Sequence, residues 1–186
     1  MALDASNVLV AVTGALHVDL TRTAAAPTGT ASALTGRNDL GYVSEDGVTL
    51  TMPGEGDTTP IRAWQNGQVV RTIRLPGEDV PQFSFTLIET KLEVIEFTFG
   101  VEVTQGATEG SFAITGGLRS PVDLVLDVVD GPELIRAHAP LATVTEITEI
   151  PFTNTDAVGY GVTVACDLDA ELGYQLKTWM TALKSA

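Results

Sequence analysis

The sequence predicts a mostly-β fold, two packed β-sheets in a sandwich or partly open barrel, with a flanking α-helix. Three observations predict it. The chain has 186 residues, 44% of them hydrophobic but only 6% aromatic, and Gly, Thr, Ala and Val recur throughout. That composition suits short strands and turns better than a helical bundle. Asn66-Gly67 and Asp130-Gly131-Pro132 each stand between two strand-like runs, and such dipeptides favour the tight turns of hairpins. Phe83, Phe85 and Leu87 alternate with Ser84, Thr86 and Ile88, the period of a half-buried strand. The length suits a single domain over 1–186, and no repeat or linker divides it.

Taken in order, residues 7–20 read as a strand or a bent strand pair, interrupted at Thr13-Gly14. Residues 21–38 turn to Ala, Thr, Gly and Ser around Pro27, which suits a loop or flexible arm. Residues 40–52 recover strand character on either side of a turn at Ser44-Glu45-Asp46-Gly47. Residues 53–60, Gly- and Pro-rich and acidic, read as an exposed loop, and 61–75 as a hairpin carrying Trp64 before its Asn-Gly turn. After the strand at 83–88, Thr90-Lys91-Leu92-Glu93 fits a capping box, with Leu92, Ile95 and Phe99 at helical spacing and Gly100 as the stop. Strands are expected at 110–115, 122–129, 134–139, 141–150 and 157–166. Residues 170–183 read as a second helix, with Leu176, Trp179 or Met180, and Leu183 on one face and Gly173 arguing against it.

Ten Lys and Arg stand against 24 Asp and Glu, a formal net charge of −14. A protein that holds DNA or anionic lipid needs the opposite sign, so stable binding to either is not expected. The single cysteine, Cys166, lies in an apolar run and reads as a small core residue. No segment reaches membrane-spanning length, and the apolar stretch 8–18 comes after Asp4 rather than a basic region, so neither a membrane segment nor an export signal is expected.

Catalytic signals are missing. His17 and His138 lie in separate strand-like runs, where packed or surface roles are commoner than catalysis. There is no zinc-ligand spacing, no Gly-x-Ser-x-Gly elbow and no phosphate-cradling loop ending in Lys-Ser or Lys-Thr. Glu55 and Asp57 offer the hard oxygen ligands calcium takes, but without the spaced pattern of a calcium loop. The expectation is a chain with no enzymatic activity, no metal and no cofactor.

Five segments, in order, carry a resemblance to a known family. They are Val10-Ala11-Val12-Thr13-Gly14; Asp39-Leu40-Gly41-Tyr42-Val43-Ser44-Glu45-Asp46-Gly47-Val48; residues 61–73 with Ala63-Trp64 and Val70-Arg71-Thr72; Phe83 to Thr90 running into the helix and Gly100; and Gly159-Tyr160-Gly161-Val162-Thr163-Val164. In these the chain resembles the major tail tube proteins of long-tailed phages, siphophages of Actinobacteria above all. Gly41, Tyr42, Trp64, Phe85, Gly100 and Tyr160 are the motif residues. Thr58-Thr59-Pro60, the loop before it and the C-terminus depart from the family pattern.

The resemblance implies a structural virion protein of the tail, made in the host cytoplasm. Six copies form a ring, rings stack into a tube, and each subunit lends strands to a β-barrel lining the channel. Tape measure and tail terminator proteins are the implied partners, with DNA in transit but not stably bound. An acidic lumen would repel DNA and keep it sliding, which gives the net charge a use. Glu45, Asp46, Glu55 and Asp57 are candidates for contacts between subunits or rings, and the 21–38 arm and the 53–60 loop would order on docking. The rival readings are an Ig-like or carbohydrate-binding sandwich of a virion or cell surface, and another virion component such as a head decoration or terminator protein.

Overall fold

A computed structural model describes residues 8–54, 56, 58–74 and 79–184. The segment beginning at Thr13-Gly14 forms β1 (Thr13–Asp19), so the strand starts at that dipeptide rather than being bent by it. The other strands are β2 (Asn38–Asp39), β3 (Val43–Thr51), β4 (Thr58–Arg62), β5 (Val69–Arg74), β6 (Gln82–Leu87), β7 (Thr104–Gln105), β8 (Gly110–Ser111), β9 (Val122–Asp130), β10 (Glu133–Ile147), β11 (Tyr160–Cys166) and β12 (Lys177–Met180). One eight-stranded antiparallel sheet runs β2-β1-β9-β10-β11-β6-β3, with β12 added against β10, while β4-β5 and β7-β8 form separate pairs.

The long strand β10 joins the two halves of this sheet. Residues 135–138 pair with β9 on one side and β12 on the other, and from Ala142 onward the strand pairs with β11. The register shifts between Ala139 and Ala142, around Pro140, which has no amide to donate. The expected separate strands at 134–139 and 141–150 are therefore one strand with a bulge. Leu16, Val18 and Leu124 from one half pack in the same core as Phe83, Phe85, Leu87, Val162 and Val164 from the other. Across the remaining seam, residues of β1 and β3 line one cavity of about 370 Å³, so the sheet curls toward a barrel that stays open there.

The alternation at 83–87 is realised in β6, whose Phe83, Phe85 and Leu87 are buried while the residues between are half-exposed. Next comes helix α1 (Leu92–Phe99), burying Val94, Ile95, Phe97 and Thr98. Its Phe97 ring stacks on Phe85 at 6.1 Å, fixing the helix to the sheet. Gly100 ends it in the left-handed conformation, φ 65°, as expected. The capping box does not form: Lys91 is the N-cap without a side-chain bond, and the Thr90 hydroxyl instead meets the Tyr160 hydroxyl at 3.0 Å.

Three further expectations change. Residues 44–47 are not a turn between two strands; β3 runs through them, and they form a bulge between Val43 and Val48 in its pairing with β6, with Gly47 at φ 71°. The strand expected at 110–115 shrinks to Gly110–Ser111. The C-terminal helix is absent. Asp169 accepts the amides of Glu171 and Leu172 in a turn closed by Gly173 at φ 75°, after which β12 takes the free side of β10 and leads into a 3-10 turn. The Lys-Thr-Trp-Met segment beside an open strand gains ladder hydrogen bonds from β10, whereas an isolated short helix is marginal.

Candidate functional site

Two features of this fold bear on function: a buried polar layer that fixes residues 21–38 to the sheet, and a set of apolar surfaces left open. The layer arises because β9 and β10 are covered on both faces. Leu124 and Leu126 point to the core, so their neighbours Asp123 and Asp127 point to the other side. There Asp127 pairs across the ladder with Arg136, and His138 lies two residues further along β10. All four are buried, His138 completely.

Residues 21–38 lie over these groups and satisfy them. Arg37 grips Asp123 with both arms of its guanidinium, Nε to Oδ1 at 2.7 Å and Nη2 to Oδ2 at 2.8 Å, and its Nη1 reaches the Ala25 carbonyl at 3.1 Å. The second Asp123 oxygen also meets His138 Nε2 at 2.8 Å, and His138 Nδ1 meets the Tyr174 hydroxyl at 3.0 Å. Burial alone would push the Asp123 carboxyl up; hydrogen bonds from His138 and Arg37, with their charge, hold it below the usual range. Arg136 forks onto Asp127 at 2.7 and 2.6 Å and donates Nη1 to the carbonyls of Gly29 and Ser32 at 3.1 and 2.7 Å.

The start of the segment is tied as firmly. The Asp19 carboxylate accepts the Thr21 hydroxyl and the amides of Thr21, Thr23 and Ala24, all within 2.8 Å. Burial raises its pKa, but the Thr21 hydroxyl and the three amides outweigh that and hold it at about 2. Arg22, at φ 55°, donates Nε to the Pro140 carbonyl at 2.9 Å and Nη2 to Asp169 at 2.7 Å. This chemistry positions backbone. It joins carbonyls and amides of a loop to side chains of the sheet and presents no nucleophile to a cleft.

The open surfaces lie elsewhere. The β4-β5 hairpin forms around Asn66-Gly67 as the turn residues dictate, with Gly67 at φ 68°. Among the described residues its two strands pair only with each other, and Ile61, Val69, Val70 and Ile73 are exposed along it, with Trp64 at 96% exposure beside the turn. Strand β3 ends the large sheet with one side unpaired among the described residues and exposes Leu50 and, just beyond it, Met52. Val8, Val10 and Val12 are exposed ahead of β1, where the Val10 amide bonds to Asp130 at 2.8 Å. A shallow cavity of about 760 Å³ beside α1 is lined by Phe99, Phe112, Phe152 and Tyr160 among others. Among the described residues, no three His, Cys, Asp or Glu side chains gather as a metal site, and no helix is long and apolar enough to cross a membrane.

The structure brings some of the sequence-selected residues together and leaves others apart. Phe85, Gly100 and Tyr160 all serve α1: Phe85 stacks on Phe97, Gly100 caps the helix, and Tyr160 lies edge-on to Phe99 at 6.2 Å. Gly41, at φ 80°, and exposed Tyr42 link β2 to β3, where the Tyr42 amide donates to Glu89 at 2.9 Å. Trp64 is exposed on the hairpin, two residues past the end of β4. Glu45 and Asp46 are exposed on the β3 bulge, while Glu55 and Asp57 lie outside the described residues.

The model of a family described as phage tail tube protein matches residues 1–184. The chain belongs to the phage tail tube protein family. Membership gives it a structural part in the tail of a phage, as a component of the tube. No match is found among curated proteins. Among solved structures the chain is similar to a chain of the PVC sheath–tube complex, an extracellular contractile injection system in its extended state. The identity is 14%, the coverage 98% of this chain and 100% of that one, and the TM-score 0.48. That likeness is too low to bear on function.

The residues that sequence reasoning missed are four of the polar layer, Arg37, Asp123, Asp127 and Arg136; the fifth, His138, is packed, one of the two roles expected for it. A signal was present. Asp123 and Asp127 interrupt an otherwise apolar strand on the same side, and Arg136 and His138 do so in the next. Two facing strands with charged residues of opposite sign on the same side call for a cover over that side.

Proposed function

We propose that six copies of this chain close into a ring and that rings stack into the hollow tail tube of a siphophage-type virion, through which DNA passes during ejection. The β4-β5 hairpin is the observation that carries this reading. It stands outside the large sheet with both edges unpaired among the described residues and apolar side chains exposed. A two-stranded hairpin is marginal by itself, and open edges invite pairing with other chains. In a ring, each hairpin gains neighbours on both sides and the edges disappear, the same gain that closes a barrel. The hairpins of successive copies then line the channel.

The net charge of −14, whose acids all lie outside the hairpin, opposes stable holding of the phosphate backbone by the protein as a whole. A tape measure protein inside the tube and a terminator at its end are the partners this role calls for, and the chain acts by assembly rather than catalysis. Residues 45–46, 55 and 57 supply carboxylates for contacts within or between rings. Sedimentation velocity across a concentration series, with negative-stain images of the heaviest species, tests the reading. Rings and tubes of uniform width are expected. A chain that remains monomeric and instead retains a glycan would replace it with the carbohydrate-binding sandwich.

A further inference from the structure

The chain's charge is divided sharply between two neighbouring segments. Residues 58–74 carry three arginines, Arg62, Arg71 and Arg74, and no acid. Residues 38–57 carry five acids, Asp39, Glu45, Asp46, Glu55 and Asp57, and no base. With the hairpin set aside, the rest of the chain has 7 basic residues against 24 acidic ones, a net −17. A protein this acidic has few cations to place, and three of its ten are on one protruding hairpin.

Several other cations are already engaged. Arg22, Arg37 and Arg136 are bound to aspartates within the fold, and Arg119 donates to the Val144 carbonyl. Among the described residues Arg71 is exposed with no carboxylate partner, and Arg62, also exposed, reaches only the Gly67 carbonyl at 3.2 Å. The β3 edge shows the complementary pattern. Its outer side is unpaired among the described residues, and at Ser44–Gly47 it bulges out of register with β6, carrying Glu45 and Asp46 exposed on the bulge. Bulges and charges on an edge strand deter indiscriminate pairing. A carboxylate pair at that point deters every incoming strand except one that brings positive charge, so the edge selects its partner.

We infer that the β3 edge of one copy receives the β4-β5 hairpin of the next, with Arg62 and Arg71 set against Glu45 and Asp46. This contact rests on the tube reading and lies within it. Donor and acceptor are different surfaces of the same chain, so the contact is head-to-tail, the kind that generates rings. Apolar groups accompany the charges on both sides: Ile61, Trp64 and Val70 on the hairpin, Leu50 and Met52 at the edge. Pairing also neutralises two of the hairpin's three guanidiniums, Arg62 and Arg71, which otherwise put cations in a channel that DNA must traverse.

Charge reversal and its compensation test the contact. Arg62→Glu/Arg71→Glu and, separately, Glu45→Arg/Asp46→Arg place like charges opposite each other and raise the concentration needed for assembly by about tenfold or more. Arg71→Glu alone does the same more weakly while keeping the Arg62–Gly67 bond, with unchanged far-UV circular dichroism showing that the fold persists. Mixing the two double variants restores assembly, because each supplies the charge the other lacks. Unimpaired assembly of the single-side variants overturns the contact and leaves the tube reading in place. Wild-type protein that stays monomeric throughout removes both. Variants that assemble normally but lose retention on duplex DNA would assign the hairpin arginines to nucleic acid instead.

Discussion

Replacing Arg37 by Met tests whether the buried polar layer holds residues 21–38. The Arg37 side chain is fully buried and Asp123 nearly so, and the substitution removes both guanidinium bonds, at 2.7 and 2.8 Å, while leaving the carboxylate in place. Breaking a buried ion pair from one side costs about 3–5 kcal/mol, because the remaining charge loses its partner but not its burial. His138 still donates to Asp123, which places the expectation toward the lower end. With a urea dependence of about 2 kcal/mol per molar, the unfolding midpoint falls by about 1.5–2 M. The double variant Arg37→Met/Asp123→Asn recovers most of the loss, since no uncompensated charge remains. Arg37→Lys keeps the charge but not the fork and lies between. Urea unfolding read by tryptophan fluorescence gives the midpoints, and hydrogen exchange reports whether amides at 21–38 open before the core. A midpoint shift under about 0.3 M for Arg37→Met, or a double variant as unstable as the single, refutes the argument.

Other consequences are more local. Asp19 has a folded pKa of about 2, below its ordinary value, so its contribution is complete above about pH 4 and is lost as pH falls toward 2. Asp19→Asn should flatten that part of the stability profile and cost about 2 kcal/mol at neutral pH, measured by urea titrations from pH 2 to 7. Burial, with a smaller effect from the charge of Asp167, pushes the Cys166 thiol up to about 12, so native protein at pH 8 should resist thiol reagents that react at once in denaturant. The Thr98 hydroxyl is buried in α1 with no hydrogen-bond partner among the described residues, so Thr98→Val should raise stability by about 1 kcal/mol in the same unfolding assay.

What could be read from the sequence was what local chemistry decides. Asn66-Gly67 and Asp130-Gly131 each close a hairpin because their backbone preferences suit tight turns whatever surrounds them, and Gly100 ends α1 for a similar reason. The alternation of β6 survives because one of its faces is core. Where long-range pairing decides, local reading gave the wrong element. Thr90 favours Tyr160, 70 residues away, over its own helix start, and the Lys177–Met180 segment becomes a strand because β10 has a free side. Asp46-Gly47, a good turn signal, is absorbed into a bulge by pairing with β6. The polar layer was the least accessible, since Arg37 meets Asp123 across 86 residues and Arg136 meets Ser32 across 104. For the candidate site, the motif residues around α1 are explained by packing, whereas the role of the hairpin depends on neighbours that one chain does not contain.

The most direct test of the tube account is a cryo-EM helical reconstruction of the assembled, purified chain. Six subunits per ring are expected, stacked into a continuous hollow tube, with residues 58–74 of each copy lining the channel and meeting the neighbour's β3 edge. Filaments without a lumen, or rings with the hairpin turned outward to solvent, would contradict it.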